Sequence, residues 1–119
     1  MCLSKQTRIY HRRGVGYKVF IVSEGLLYTP FQGKRKMIPI GKWIAASGWS
    51  YSRARLWDDQ YTTYPPGWHI SLTKIGARKY LDKGKIIYKV EYKDTVAEGL
   101  QNRNLTVVTR WMKILEKVE

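Results

Sequence analysis

The feature that most constrains this chain is a pair of apolar segments in its C-terminal third. The first, 85–93, alternates: Ile86, Tyr88, Val90 and Tyr92 share one side, and Ile87, Lys89, Glu91 and Lys93 share the other. A period of two residues predicts a β-strand with one buried face. The second, 105–115, carries apolar residues on both sides, which predicts a strand in the centre of its sheet. A β-sheet is therefore the organising element of the predicted fold.

Three earlier segments predict further strands. Segments 17–22 and 68–72 are rich in β-branched and aromatic residues, and 26–28 follows the turn dipeptide Glu24-Gly25. The segment 37–46 is predicted to be extended but irregular, because Pro39 and Gly41 interrupt it.

One helix is predicted after the strand at 68–72. Thr73 can cap its N-terminus, the helix extends over 74–82, and Gly84 stands where a left-handed C-cap belongs. Segment 94–104, rich in Gly and Asn, is predicted to be a connection. We therefore expect an α+β fold, with a mostly antiparallel sheet of about five strands and one helix packed on it.

The predicted organisation is a basic N-terminal arm at 1–15 and a single α+β domain at 16–119, with an aromatic-rich loop at 46–64. The length of 119 residues fits one domain, and an apolar fraction of 44% is high enough to form a core. Neither a membrane-spanning run nor a secretory signal is expected. Cys2 is the only cysteine, which excludes an intramolecular disulfide and a cysteine zinc site. We expect a protein of the host cell cytoplasm with no metal and no cofactor.

The charge points to an anionic partner. The chain has 22 Lys and Arg against 9 Asp and Glu, a formal net charge of +13. Such an excess favours polyanions through counterion release and long-range steering, although a merely solvated basic surface is the alternative. The basic residues expected to contact the partner are Lys5, Arg8, Arg12, Arg13, Lys34, Arg35 and Lys36.

Aromatic residues suggest a second contact region within 46–64. Its candidate binding residues are Trp49, Tyr51, Arg53, Arg55 and Trp57. Aromatic rings interleaved with guanidinium groups are typical of surfaces on which nucleotides stack. The same residue types dominate protein–protein hot spots, and the sequence favours neither partner over the other. Three further tryptophans, Trp43, Trp68 and Trp111, fall in predicted strands and are assigned to the core.

No catalytic motif is present, so an enzyme is the less favoured interpretation. Gly14 and Gly16 open a strand rather than a helix, which excludes a dinucleotide fingerprint. His69 opens a strand just before the Thr73 cap, and a hydrogen-bonded structural role is favoured for it. The alternative role is as a pocket residue that contacts a ligand.

Several motifs together resemble a family of small bacteriophage and prophage proteins. They are Met1-Cys2-Leu3-Ser4, Tyr17-Lys18-Val19-Phe20, Gly25-x-Leu27-Tyr28-x-Pro30, Ile40-Gly41-Lys42-Trp43, and Tyr64-Pro65-Pro66-Gly67-Trp68-His69 followed by Ala77 and Tyr80. The same elements occur in a domain of large phage polyvalent proteins. This resemblance implies a viral context and no particular activity.

A second resemblance is to ADP-ribosyltransferase-like folds. It rests on Gly67-Trp68-His69 and on Ala77-Arg78-Lys79-Tyr80. It implies a pocket near His69 and Tyr80, but segment 105–111 carries no Glu or Gln where such enzymes orient the nicotinamide ribose.

These observations predict a small basic accessory protein, derived from a phage, that binds an anionic target. The target is nucleic acid, or an acidic host or defence protein that it inhibits. A nucleotide- or NAD-binding enzyme of the ADP-ribosyltransferase type, or a degenerate relative of one, is the alternative. No membrane partner is expected, and the sequence leaves the oligomeric state open.

Overall fold

The structure is a computed structural model that describes residues 3–23, 26–28, 39–46, 52–55, 61–81 and 83–118. For 23, 26–28, 52–55 and 61–63 it describes the backbone alone. The described residues form nine strands and one helix, whose bounds are β1 Lys5–Thr7, β2 Gly14–Ser23, β3 Leu26–Tyr28, β4 Trp43–Ala45, β5 Ser52–Arg55, β6 Tyr61–Tyr64, β7 Trp68–Ser71, α1 Lys74–Arg78, β8 Lys85–Gln101 and β9 Asn104–Lys117.

A long antiparallel hairpin of β8 and β9 forms the centre of the sheet. Its pairing extends from Tyr88↔Lys117 to Gln101↔Asn104. The two residues of its turn, Asn102 and Arg103, both have positive φ, 49° and 67°. A two-residue turn of that kind matches the twist of the flanking strands.

Four strands pair in a closed ring. β2 pairs with β8, β8 with β9, and β9 with β7. The ring closes at a single antiparallel pair between β7 and β2, Tyr17↔Ser71. Gly16 permits this closure, because a Cβ there would lie 2.5 Å from the Ile70 Cγ2 and 2.7 Å from the Ser71 carbonyl oxygen.

Further short strands pair with strands of the ring. β3 pairs with β2, and β4 pairs with β9. β1 lies against the far end of β8, followed by β5 and β6. Among the described pairings, only that of β1 with β5 is parallel.

The core has three parts. The main cluster consists of Phe20, Trp68, Ile70, Val90, Tyr92, Val107, Met112 and Ile114. A second cluster joins Ala77 of α1 to Val19 of β2 and Ile87 of β8. A third joins Leu3 and Tyr64 to Ala97 and Val108. α1 begins at the predicted cap, where the Thr73 hydroxyl accepts the Gly76 N–H at 3.0 Å.

The predicted mostly antiparallel sheet with one helix is confirmed among the described residues, where the helix is short. The expected five strands are too few, because β1, β4, β5 and β6 contain only three or four residues and show little period. α1 ends at Arg78 rather than at residue 82. The connection expected at 94–104 is wrong, because β8 continues to Gln101.

Two segments predicted to be irregular contain strands. In the expected arm 1–15, β1 pairs with β8 and Leu3 is buried. In the expected loop 46–64, β5 and β6 pair with each other, and Tyr64 is buried. Within the described ranges, no helix has the length and apolarity needed to span a bilayer.

Candidate functional site

A cavity of about 370 Å³ opens where the 12–13 turn meets β8 and β9. It is lined by Arg12, Arg13, Lys93, Asp94, Thr95, Val96 and Arg110. We call this cavity the basic cleft, because four of its side chains are cationic and one is a carboxylate. Arginines present a planar fork of donors that matches phosphate and carboxylate oxygens, and three of them line this cleft.

Buried polar groups hold the turn that carries the two arginines. The Thr95 hydroxyl donates to the carbonyl oxygens of His11, at 2.6 Å, and of Arg12, at 3.0 Å. The Thr95 N–H also donates to the Arg12 carbonyl, at 3.3 Å. Arg12 and Arg13 themselves are exposed. The backbone is therefore fixed to β8 while the guanidinium groups remain in solvent.

Glu98 is the second anchor of this turn. Its carboxylate is 3% exposed and accepts the N–H groups of Tyr10, at 3.1 Å, and His11, at 2.9 Å. The His11 Nδ1 lies 3.0 Å from the other oxygen. Burial, together with the Glu98 charge, raises the pKa of Tyr92. A buried carboxylate with several donors is a specific device for locking a loop.

A tryptophan and lysine cluster lies beside the cleft. Lys93, which lines the cleft, places its Nζ 4.2 Å from the ring centroid of Trp43 and 5.7 Å from that of Trp111. The Lys113 Nζ lies 4.9 Å from the Trp43 centroid. These distances are those of cation–π contacts.

This cluster corrects the assignment of all three strand tryptophans to the core. Trp68 is buried, at 5% exposure, and its Nε1 donates to the Ile44 carbonyl oxygen at 3.0 Å. Trp43 and Trp111 are only partly buried. They face the opposite side of the sheet from the core residues Met112 and Tyr92 that alternate with them.

His69 and Tyr80 do line one cavity, as the pocket hypothesis expected, but that cavity is small. Its volume is about 30 Å³. A space of that size holds a couple of water molecules. Gln101 also lines it, and its Oε1 atom is buried without a partner among the described atoms, while its Nε2 donates to the Tyr80 hydroxyl at 3.1 Å.

Two basic side chains meet at this small cavity. The Lys18 Nζ donates to the His69 carbonyl oxygen at 2.7 Å, and burial lowers the pKa of Lys18 to about 8. Burial and the nearby Lys18 charge lower the pKa of His69 to about 3. The His69 Nε2 lies 3.3 Å from the Tyr64 hydroxyl oxygen. His69 is therefore a neutral imidazole at pH 7, bonded to its surroundings.

The structure brings together only some of the predicted basic residues. Arg12 and Arg13 share the cleft, whereas Lys5 lies in β1 and Arg8 is exposed, and neither lines it. Six predicted residues lie outside the described ranges: Lys34, Arg35, Lys36, Trp49, Tyr51 and Trp57. Arg53 and Arg55 lie in β5, where the backbone alone is described.

Five cationic and aromatic residues of the cleft and its neighbouring cluster are not among the predicted site residues: Lys93, Arg110, Lys113, Trp43 and Trp111. The alternation of 85–93 did place Lys93 on the solvent side, and that part of the pattern is confirmed. In β9, Trp111 and Lys113 alternate with the buried Met112 and Ile114. That period could have separated Trp111 from the core.

No protein-family model, no curated protein and no solved structure matches this chain. In the part of the chain that is described, no three His, Cys, Asp or Glu side chains converge as a metal site would require.

Proposed function

We propose that this protein is a phage-derived accessory protein that binds nucleic acid through the basic cleft. The observation that carries the proposal is the convergence of Arg12, Arg13, Lys93 and Arg110 around one cavity of about 370 Å³. A concave site of that size accommodates phosphate groups of a strand, and the backbone that carries Arg12 and Arg13 is already anchored, so binding orders their side chains but not the turn.

The charge of the whole chain supports the same partner. A formal net charge of +13 draws a polyanion toward the surface before any contact forms. Each phosphate that is then neutralised releases a condensed counterion, which supplies most of the sequence-independent affinity.

An acidic host or defence protein is the other candidate partner, because the positive charge of the chain would attract it as well. What favours nucleic acid is the combination of guanidinium groups in a cavity with the tryptophan and lysine cluster next to it. An NAD-dependent activity has less support. The cavity at His69 and Tyr80 has room for water molecules rather than for a nucleotide.

The test is a salt titration of oligonucleotide binding. Fluorescence anisotropy of a labelled single strand is measured between about 50 and 200 mM salt. The triple variant Arg12→Gln, Arg13→Gln, Arg110→Gln removes three cleft charges. We expect weaker binding and a log–log slope flatter by about two units, since each single-strand contact contributes roughly 0.7.

The matched control removes the same charge from other elements, with Lys74→Gln, Lys79→Gln and Lys117→Gln. We expect it to leave the slope nearly unchanged. An equal effect of both triples would show that net charge alone attracts the strand and would overturn the cleft as a site. Absence of binding at about 50 mM salt would overturn the nucleic-acid function and leave the acidic protein as the candidate.

A further inference from the structure

Three adjacent strands carry a partly exposed aromatic and cationic face next to the basic cleft. β4, β9 and β8 lie side by side, with the registers Trp43↔Lys113, Ala45↔Trp111, Glu91↔Lys113 and Lys93↔Trp111. Residues directly opposite each other on paired strands point to the same side of a sheet. We call the set Trp43, Trp111, Lys93 and Lys113 the tryptophan face.

The other side of the same three strands is the main core. Ile44, Tyr92, Met112 and Ile114 alternate with the residues of the tryptophan face and pack there. The main core therefore packs on one side of these three strands, and the tryptophan face lies on the other. The two indoles on the outer side are partly exposed, although aromatic rings are the side chains with the most to gain from burial.

Lys93 joins the tryptophan face to the basic cleft. Its Nζ lies 4.2 Å from the Trp43 centroid, and the same side chain lines the cavity that contains Arg12, Arg13 and Arg110. The Glu91 carboxylate, which also lies on this face, is 3.6 Å from the Lys113 Nζ. Flat apolar rings and phosphate-binding cations therefore occupy one continuous surface.

We propose that this surface binds single-stranded nucleic acid, with bases stacked on Trp43 and Trp111 and the adjoining phosphates in the basic cleft. This inference rests on the proposed function and names its substrate class. In a duplex the bases stack on each other and their faces are closed to an indole. An unpaired strand offers base faces and phosphates together, which is how sheet surfaces with exposed aromatic residues bind single strands.

Under this proposal Lys93 contacts the Trp43 indole in the free protein and a phosphate in the complex. In the free protein its ammonium group lies over the indole of Trp43. When a base takes that position, the ammonium group moves to the neighbouring phosphate. Neither indole has to leave the sheet for the strand to bind.

The experiment compares a strand of about 12 nucleotides with the duplex of the same sequence, in competition for the wild-type protein. Trp43→Leu and Trp111→Leu remove the π-face but keep an apolar side chain, and Trp43→Phe and Trp111→Phe are the matched controls. We expect the wild type to prefer the single strand. Each leucine variant should lose about 5- to 100-fold in single-strand affinity, with a smaller loss for phenylalanine.

Duplex affinity and the salt slope of the leucine variants should remain those of the wild type, because phosphate contacts are unchanged. Melting curves confirm that each variant is folded, and the phenylalanine variants report on stacking if a leucine variant is not. Equal affinity for strand and duplex would overturn this inference and leave the cleft intact as a nucleic-acid site. The inference would also be overturned if the leucine variants bound the single strand as tightly as the wild type while the cleft triple variant bound it more weakly.

Discussion

At the scale of single residues, two basic side chains, Lys18 and His69, meet at the small cavity of the ring and are partly withdrawn from solvent. Burial lowers the pKa of both, to about 8 and about 3. His69 contacts the Tyr64 hydroxyl through Nε2, and its carbonyl oxygen accepts the Lys18 ammonium. Such contacts connect β7 with β2 and with the end of β6, so a structural role is the one its environment favours.

A pH profile of His69→Ala tests that role. At pH 7 the variant should melt several degrees below the wild type, because losing a buried hydrogen-bonding partner costs about 1–3 kcal/mol. The folded pKa lies below the usual value of about 6.5. Between pH 6.5 and 3, His69 is therefore protonated in the unfolded chain but neutral in the folded chain. The free energy of unfolding of the wild type falls as the pH is lowered through that window.

The alanine variant has no imidazole to protonate at this position. The difference between the melting points of wild type and variant should therefore narrow as the pH is lowered from 6.5 to about 4. Oligonucleotide binding by the folded variant should equal that of the wild type. A gap that stays constant with pH would contradict a neutral buried imidazole. Unchanged melting combined with lost binding would move the functional site to His69.

At the scale of elements, β8 shows how far the sequence could be interpreted. Its first half alternates in sequence, and Val90 and Tyr92 are buried as predicted. The prediction of a single buried face is wrong at Ile87, which lies on the predicted solvent side but is fully buried against Ala77 of α1. The second half of β8 cannot be recognised as a strand from the sequence, because the register shifts between Thr95 and Ala97 and this breaks the two-residue period. Glu98 and Gln101 are also buried there, and polar residues do not indicate a buried strand until their partners are known.

The candidate site was predictable only in part for a related reason. Arg12 and Arg13 stood out by their local charge, but Lys93 and Arg110 join them through the pairing of distant segments. A single sequence gives no register between such segments. Residue type favours the core for Trp43 and Trp111. The period of β9 separates Trp111 from the core, whereas Trp43 is placed on the outer side by its pairing with Lys113.

The docking of β1 on β8 provides an element-scale prediction, through Gly99→Ala. A Cβ at Gly99 would overlap the Lys5 carbonyl oxygen and lie 2.9 Å from the Gln6 Cα. These are backbone atoms, so β1 has to move. We expect a lower melting point and faster amide hydrogen exchange in residues 4–7, with exchange in β9 little changed.

Gly14→Ala is the matched control, because its Cβ would meet the Tyr92 hydroxyl oxygen at 3.1 Å and no backbone atom nearer, so a shift of a few tenths of an ångström is enough. It should destabilise the protein much less. If both variants melt alike and residues 4–7 keep their protection, the close approach of β1 to β8 is not required for stability.

At the scale of the whole molecule, charge is spread well beyond the cleft. The formal net charge is +13, and the run Lys34-Arg35-Lys36 lies outside the described residues. A second basic run in the chain can act in two ways. It can raise the rate of encounter through its field alone, or it can contact phosphates of the same bound strand and contribute to the salt dependence of the affinity.

We expect phosphate contacts by this run, so Lys34→Ala, Arg35→Ala and Lys36→Ala together should flatten the log–log salt slope of strand binding by about two units. Combined with the cleft triple variant, the flattening should reach about four units, because contacts at separate phosphates release separate counterions. Anisotropy titrations with a strand long enough to reach both regions measure this directly. If the run triple leaves the slope unchanged while slowing association in stopped flow, the run steers the strand and does not contact it.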